Sequence, residues 1–281
     1  MTIAITGASG FIGTHLALRL KAAGHEVRAI FLRREIDLSL LEGCGAVIHL
    51  AGEPVAQRWT AAARKRIIDS RVEGTRRVVS ALEKLQKRPA VLISASAVGY
   101  YGSRGDTVQG ETSPPGNDFL AEVTVAWERE AREAGKFGVR VVNPRIGVVL
   151  GRNGGALKRM LLPFKLGVGG RLGTGEQWIS WIHIQDLCSL ILFALDRTEV
   201  QGPVNAVSPK PVTNTSFTRA LAGALHRPAI FPVPVIALKL LFGEMSQVLL
   251  EGQRVTPEAA LRAGFTFRFP EIAAALQEIL G

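Results

Sequence analysis

Of 281 residues only two are cysteine and two are tyrosine, and each scarcity removes a class of reading. Cys44 and Cys188 lie in apolar sequence with no metal-ligand spacing and no partner pattern, so both are read as buried free thiols. At the N-terminus no charged region precedes a long apolar core. Met1 runs straight into a strand pattern, and no secretory signal is expected. The longest apolar stretch, "IFPVPVIALKLLFGEMSQVLL", is broken by prolines, Lys239 and Glu244, and reads as buried helix rather than a membrane span. No basic run of five and no RNA-binding aromatic signature occurs, which argues against nucleic acid as a partner. The expectation is a cytoplasmic protein that binds neither nucleic acid nor membrane.

What is present points to a basic enzyme with a large core. Hydrophobic residues make up 47% of the chain, enough to bury one large domain or a nucleotide domain with a smaller cap. Lys plus Arg number 34 against 24 Asp plus Glu, a net charge of +10, which favours anionic ligands. Strand and helix patterns alternate up to about residue 145, the mark of a doubly wound parallel sheet. Strands are expected at "TIAIT", "EVRAIF", "AVIHLA", "PAVLISAS" and "GVRVVNPRIGVVL", and helices over 11–23, 60–87 and 118–134. These predict an α/β fold: a Rossmann-type doubly wound parallel sheet in residues 1–150, followed by a small C-terminal substrate domain. Residues 151–281 are read mostly as substrate-side segment and helices, with a strand near 203–206 returning to the sheet.

"ITGASGFIG" carries the most chemistry. Gly7, Gly10 and Gly13 follow a strand-like run and open a helical one, the context in which glycines serve a dinucleotide. Gly7 permits the tight turn, Gly10 lets backbone approach a diphosphate, and Gly13 lets the helix pack closely on the sheet. Ser9, Phe11 and Ile12 share this loop, whose helix N-terminus offers unpaired amides to an anion. At the end of the second strand an acidic residue would hold a ribose 2′-hydroxyl and an arginine a 2′-phosphate. The chain has "FLRR" there. Arg33 and Arg34 favour NADP(H), a guanidinium being able to fork onto phosphate oxygens; the competing account is a solvated basic pair. Asp37 is a positional candidate for the adenine end.

The G-x-x-G-x-x-G spacing resembles the short-chain dehydrogenase/reductase superfamily. "HLAGEPV", "RWTAAARKRIIDSRVEGT", "SASAVGYYG", "SPPGNDFLAE", "GGRLGTGEQWISWIHIQDL" and "EGQRVTP" are similar to its atypical extended, nucleoside-diphosphate-sugar epimerase-like branch. That resemblance implies an NADP(H)-binding Rossmann domain. It further implies that Leu50, Ala51 and Gly52 run along the cofactor, that Arg71 reaches it from the long helix, and that Val149 flanks the nicotinamide end.

Superfamily members usually move a proton with a Tyr-x-x-x-Lys pair, because a neighbouring ammonium makes a phenol titrating near 10 useful at neutral pH. This chain has none. Tyr100 and Tyr101 are its only tyrosines, and Phe119 and Val123, or Leu120 and Thr124, stand where the pair belongs. Ser96 sits at the superfamily's serine position with Ser94, a cofactor-side candidate, behind it. Tyr100 or Tyr101 is a candidate donor, or an aromatic wall. His183 is a candidate general acid, or a satisfied structural histidine. Arg145, Lys158, Arg159 and Arg171 suit an anionic substrate, or are solvated loop charges. The expected function is an NADP(H)-binding oxidoreductase or epimerase-like enzyme acting on a phosphorylated or nucleotide-linked small molecule, with a homodimer as the candidate assembly. The rival is a regulatory NADPH sensor. No metal site is expected.

Overall fold

The structure, a computed structural model, describes residues 1–32 and 35–281. Strand β1 (Thr2–Thr6) leads through the glycine loop into helix α1 (Phe11–Ala22), and β2 (Glu26–Ile30) returns beside β1. The chain then crosses to the other side of β1 with β3 (Ala46–His49), α2 (Ala61–Glu83) and β4 (Val91–Ser94). Next come β5 (Ser96–Ala97), β6 (Val108–Gln109), α3 (Phe119–Arg132) and β7 (Arg140–Ile146). The remainder is β8 (Val148–Leu150), α4 (Gly155–Lys165), β9 (Trp178–Ile179), β10 (Trp181–His183), α5 (Ile184–Asp196) and β11 (Gly202–Ala206). Then follow β12 (Val212–Thr213), α6 (Asn214–Leu225), α7 (Val235–Phe242), α8 (Ser246–Leu250), β13 (Arg254–Val255), α9 (Glu258–Arg262) and α10 (Ile272–Leu280).

The main sheet has the order β11-β7-β4-β3-β1-β2, all parallel, with β5 extending along β7. Strand order reverses between β1 and β3, and ligands of open α/β sheets bind at such a switch point, outside the carboxyl ends of the strands. The glycine loop leaves β1 there. Alternation along β1 shows why the sheet is covered on both faces: Ile3 and Ile5 join the core shared with Leu16, Leu20 and Leu187, while Ala4 joins Val78, Val79 and Leu82. Every residue of β3 and of β4 is buried, as their unbroken apolar runs anticipate for parallel strands.

Helix ends follow local chemistry. Thr60 caps α2 by accepting from the Ala63 amide, and Asp118 caps α3 by accepting from that of Ala121. The expected fifth strand divides at Gly147, where a Cβ would lie 2.4 Å from the Ser180 carbonyl; beyond it β8 leaves the main sheet and pairs with β10. The strand expected near 203–206 is β11, at the sheet edge beside β7. Helix α5 packs with α1 in the main core, so residues after 150 are shared between the sheet and a smaller layer built on α4, α6 and α10.

One expectation is corrected. Residues 230–250 do not form a buried helix: Pro232 and Pro234 delay helix until α7, and Gly243, with a φ of +59°, ends α7 before α8, leaving each too short to bury more than one side. Leu238 and Met245 are inside, while Ile230, Phe231, Ile236 and Leu240 face outward.

Candidate functional site

Gly7 adopts a φ of +72°, and a Cβ there would lie 2.9 Å from the Ala51 amide nitrogen. The tight turn closes as the Gly10 amide donates to the Gly7 carbonyl at 3.0 Å. A Cβ on Gly13 would sit 2.2 Å from that same carbonyl, so α1 approaches the sheet only because position 13 is bare. Among the described residues no side chain caps α1, and its first turn holds no acidic residue. The first-turn amides and the helix dipole are therefore available to an anion. Ser9 and Gly10 are exposed, and Phe11 and Ile12 are half-buried. The Phe11 ring lies against Gly151, Gly154 and Gly155.

Beneath the loop sits a residue that the sequence reading passed over. His49, at the end of β3, is fully buried between Thr6 and Thr75, with Nδ1 2.6 Å from Thr6 Oγ1 and Nε2 3.0 Å from Thr75 Oγ1. Thr6 Oγ1 also accepts from the Leu50 and Ala51 amides, so its own proton goes to His49 Nδ1, and Nε2 carries the imidazole hydrogen toward Thr75. Burial, together with the nearby Arg71 charge, lowers the His49 pKa to about 4. The imidazole is neutral and holds the β3 exit, Leu50 and Ala51, against the glycine turn. A histidine inside an otherwise apolar strand was the signal for it.

Arg71 comes from α2 to the same exit. Its guanidinium donates to the Glu53 and Ile67 carbonyls at 3.0 and 3.2 Å and lies 5.1 Å from the Trp127 ring. It passes beside Gly52, where a Cβ would meet it at 3.4 Å. Burial pulls its pKa down to about 10, partly offset by Glu53, so it remains a cation at neutral pH. Asp37 is spent on its own turn, its Oδ1 accepting from the Ser39 amide and hydroxyl, which holds its pKa low. Arg33 and Arg34 lie outside the described residues. Val149 is buried in β8 beside β10 and belongs to the core.

The proposed catalytic residues divide. Ser96 is buried and its hydroxyl donates to Glu128 Oε1 at 2.7 Å. Glu128 also receives a two-pronged bond from Arg145, Nε to Oε1 at 2.8 Å and an Nη to Oε2 at 2.9 Å. Arg145 donates further to the Tyr101 hydroxyl at 3.0 Å and to the Glu111 carbonyl, and its Cζ lies 3.4 Å from the Tyr100 ring centroid. Burial works against the Arg145 charge, but the Glu128 carboxylate outweighs it and the pKa is raised. Arg145 is thus a buried ion-pair partner, which corrects its reading as a substrate contact. Tyr101 is 0% exposed, its hydroxyl donating to Asn205 Oδ1 at 2.6 Å, and burial pushes its pKa up to about 12. This placement speaks against Tyr101 as a proton donor. Tyr100, half-buried with its ring edge-on to that of Tyr101 at 5.3 Å, is the tyrosine with access to solvent. Ser94 is wholly buried, and its hydroxyl finds no partner among the described residues.

His183 is also turned inward. Its Nδ1 accepts from the Gln185 amide, capping α5, and its Nε2 faces Glu278 of α10 at 3.0 Å, with the ring against Phe269. Burial lowers its pKa, with Glu278 opposing. Nearby, both Asp186 oxygens accept backbone amides, of Arg268 and Phe269. The pair fastens the C-terminal segment, and the general-acid reading of His183 does not fit that burial. Lys158, Arg159 and Arg171 are exposed, Arg159 donating to the Ala56 carbonyl and Arg171 to that of Thr174. Among the described residues no cluster of His, Cys, Asp and Glu is suited to a metal. Nor is any helix long and apolar enough to cross a membrane.

Known proteins bear on this arrangement. The model of the NAD dependent epimerase/dehydratase family matches residues 3–207, and that of a domain of unknown function, DUF1731, matches residues 233–279. Epimerase family protein SDR39U1 of Bos taurus is 41% identical over 294 residues, covering the whole of both chains. The Arabidopsis thaliana homologue, described as chloroplastic, is 41% identical over 302 residues, all of this chain and 87% of its own. Human SDR39U1 isoform 2, crystallised with NADPH, superposes with a TM-score of 0.93 at 37% identity, over 100% of this chain and 99% of that one. MoeE5, solved with UDP-glucose and NAD, has a TM-score of 0.78 at 22% identity over 99% and 98% of the two chains, and shares the fold. With a glycine turn at the switch point of a parallel sheet and this match along its length, the chain belongs to the NAD dependent epimerase/dehydratase family, as an atypical short-chain dehydrogenase/reductase with a DUF1731 region at its C-terminal end.

Proposed function

We propose that the protein binds NADP(H) in the glycine turn and uses it, as an oxidoreductase or epimerase-like enzyme, on a phosphorylated or nucleotide-linked small molecule. The observation that carries the reading is the uncapped start of α1 beneath a turn in which a side chain at position 7 or 13 would collide with backbone. The human relative crystallised with NADPH supports it. The cofactor, when bound, supplies or accepts a hydride. The chain's part is to hold it: amides of residues 11–13 take the diphosphate, Arg33, with Arg34 beside it, takes the 2′-phosphate, and His49 keeps Leu50 and Ala51 fixed along it. Proton transfer falls to Tyr100, since Ser96 and Tyr101 give their hydroxyl protons to Glu128 and Asn205.

That same commitment of polar atoms favours a second reading, an NADPH-binding regulator without turnover. Calorimetric titration with NADPH and NADH, followed by absorbance of NADPH against nucleotide sugars and small carbonyl compounds, tests both. The expected result is tighter binding of NADPH and a measurable change in absorbance with a phosphorylated or nucleotide-linked substrate. Since an epimerisation leaves the cofactor's redox state unchanged, the products are also separated by chromatography: tight binding with silent absorbance and no new product or epimer would favour the regulator, and absence of heat with either nucleotide would overturn both.

A further inference from the structure

Two stretches that the nucleotide site does not use lie side by side. The Gly173 amide donates to the Val233 carbonyl and the Val233 amide to that of Arg171, joining residues 170–173 to 231–235 as a short parallel ladder. The fit is tight, since a Cβ on Gly170 would fall 1.7 Å from the Phe231 carbonyl. Around this seam large apolar side chains stand outward: Leu166 and Val168 after α4, Ile230 and Phe231 before the ladder, and Ile236 and Leu240 on α7. Ile230 is 75% and Phe231 70% exposed, so these side chains protrude instead of lining a groove. An apolar surface of this kind on a folded chain marks an interaction site.

Charge identifies the partner. "KRMLLPFKLGVGGR" (158–171) and "RPAIFPVPVIALKLL" (227–241) contain Lys158, Arg159, Lys165, Arg171, Arg227 and Lys239 and not one Asp or Glu. A second copy meeting this face about a two-fold axis would bring like charges together, which costs free energy. Protruding apolar side chains amid basic ones, with Glu251 the acid that shares a cleft with Lys239 at the edge of the seam, match the interface of an anionic bilayer, where headgroups take the cations and the acyl boundary takes the apolar groups. We propose that residues 158–171 and 227–241 form a docking surface for anionic membrane lipid. The proposal departs from the expectation that the protein binds no membrane: no described helix is long and apolar enough to span a bilayer, but resting on its surface asks only for this patch. The proposal is independent of the nucleotide reading.

Flotation of the full chain with vesicles tests it. Binding is expected to vesicles of phosphatidylcholine mixed with phosphatidylglycerol, to weaken as salt is raised, and to be absent with phosphatidylcholine alone. Phe231→Glu with Leu240→Glu should abolish it, and Lys165→Gln and Lys239→Gln should each weaken partition by about fivefold. All four positions are exposed, and unchanged thermal melting and NADPH titration in the same variants would separate lost docking from lost folding. Failure of the wild-type chain to float with anionic vesicles, or flotation undiminished by the double variant, would overturn the proposal. So would a dimer in light scattering that the double variant dissolves while flotation is absent, which would give the face to a second copy. Capture only by an acidic protein in place of vesicles would overturn it as well.

Discussion

Protonation of His49 should undo the clamp beneath the glycine turn, and its cost follows from the burial of the ring. The imidazole titrates at about 4 in the folded chain against 6.5 ordinarily, a difference that at about 1.4 kcal/mol per unit comes to roughly 3 kcal/mol. Because the folded value is the lower one, the unfolded chain takes the proton first. The contribution is complete above about pH 6.5, declines with a slope of up to about 1.4 kcal/mol per pH unit as acid is added, and is spent by about pH 4. Protonation also puts a hydrogen on Nδ1, which now accepts from Thr6, and so disturbs the hydroxyl that receives the Leu50 and Ala51 amides. His49→Asn removes the titrating group and keeps a short polar side chain toward Thr6, at about 1 kcal/mol for the lost Thr75 bond. Urea unfolding of both proteins between about pH 7 and pH 4 cancels the carboxylates they share. The wild type should lose roughly 3 kcal/mol more than the variant over that range, and its affinity for NADPH should fall in the same interval. Parallel curves for the two proteins would refute the argument, because they would mean that His49 is solvated or already charged.

Gly13→Ala should abolish tight NADPH binding and cost about 1–3 kcal/mol of stability, since its Cβ would lie 2.2 Å from the Gly7 carbonyl; fluorescence titration with unchanged affinity would contradict the cradle. Arg33→Asp should weaken NADPH by roughly tenfold to a hundredfold and NADH far less, and an equal effect on both would remove the 2′-phosphate assignment. Glu128→Ala strands a buried guanidinium and should destabilise the fold by about 3–5 kcal/mol, read by denaturant unfolding; a loss within experimental error would show that Arg145 reaches water. Tyr101→Phe should cost about 1 kcal/mol of stability and leave any turnover intact, whereas Tyr100→Phe should reduce turnover with stability unchanged. The reverse pattern would restore Tyr101 as the proton donor.

Much of the frame was readable from local order alone. The glycine turn, the capped starts of α2 at Thr60 and α3 at Asp118, and the fully buried runs of β3 and β4 each depend on residues within a turn or a pleat of one another. The polar core was opaque for the opposite reason. Arg145 meets Glu128 across 17 positions, and Tyr101 meets Asn205 across 104; no periodicity joins such partners. A serine, a tyrosine and an arginine that looked like reactive groups near a pocket are therefore groups satisfied by distant residues. His49 was missed because its strand reads as apolar, yet a lone imidazole in a buried strand must find two partners or remain a costly orphan.

The C-terminal apolar stretch teaches a different lesson. Hydropathy reports that a side chain gains by leaving water, but it does not say which phase receives it. In α1 and α5 the receiver is the sheet, and the outcome is a core of Leu16, Leu20, Leu187 and Ile191. In α7 the prolines at 232 and 234 end the preceding run, the helix spans Val235–Phe242, and only Leu238 is buried. The free energy available from Ile236 and Leu240 is then unclaimed within the monomer, at about 1.5–3 kcal/mol for each such side chain fully removed from water. Four basic residues on the α4 side of the seam and two on the α7 side, with no acid in either segment, set the sign of whatever claims it. A surface combining these two properties is more economically matched by anionic lipid, which supplies both an apolar interior and a dense negative border, than by a second positively charged copy of the same chain.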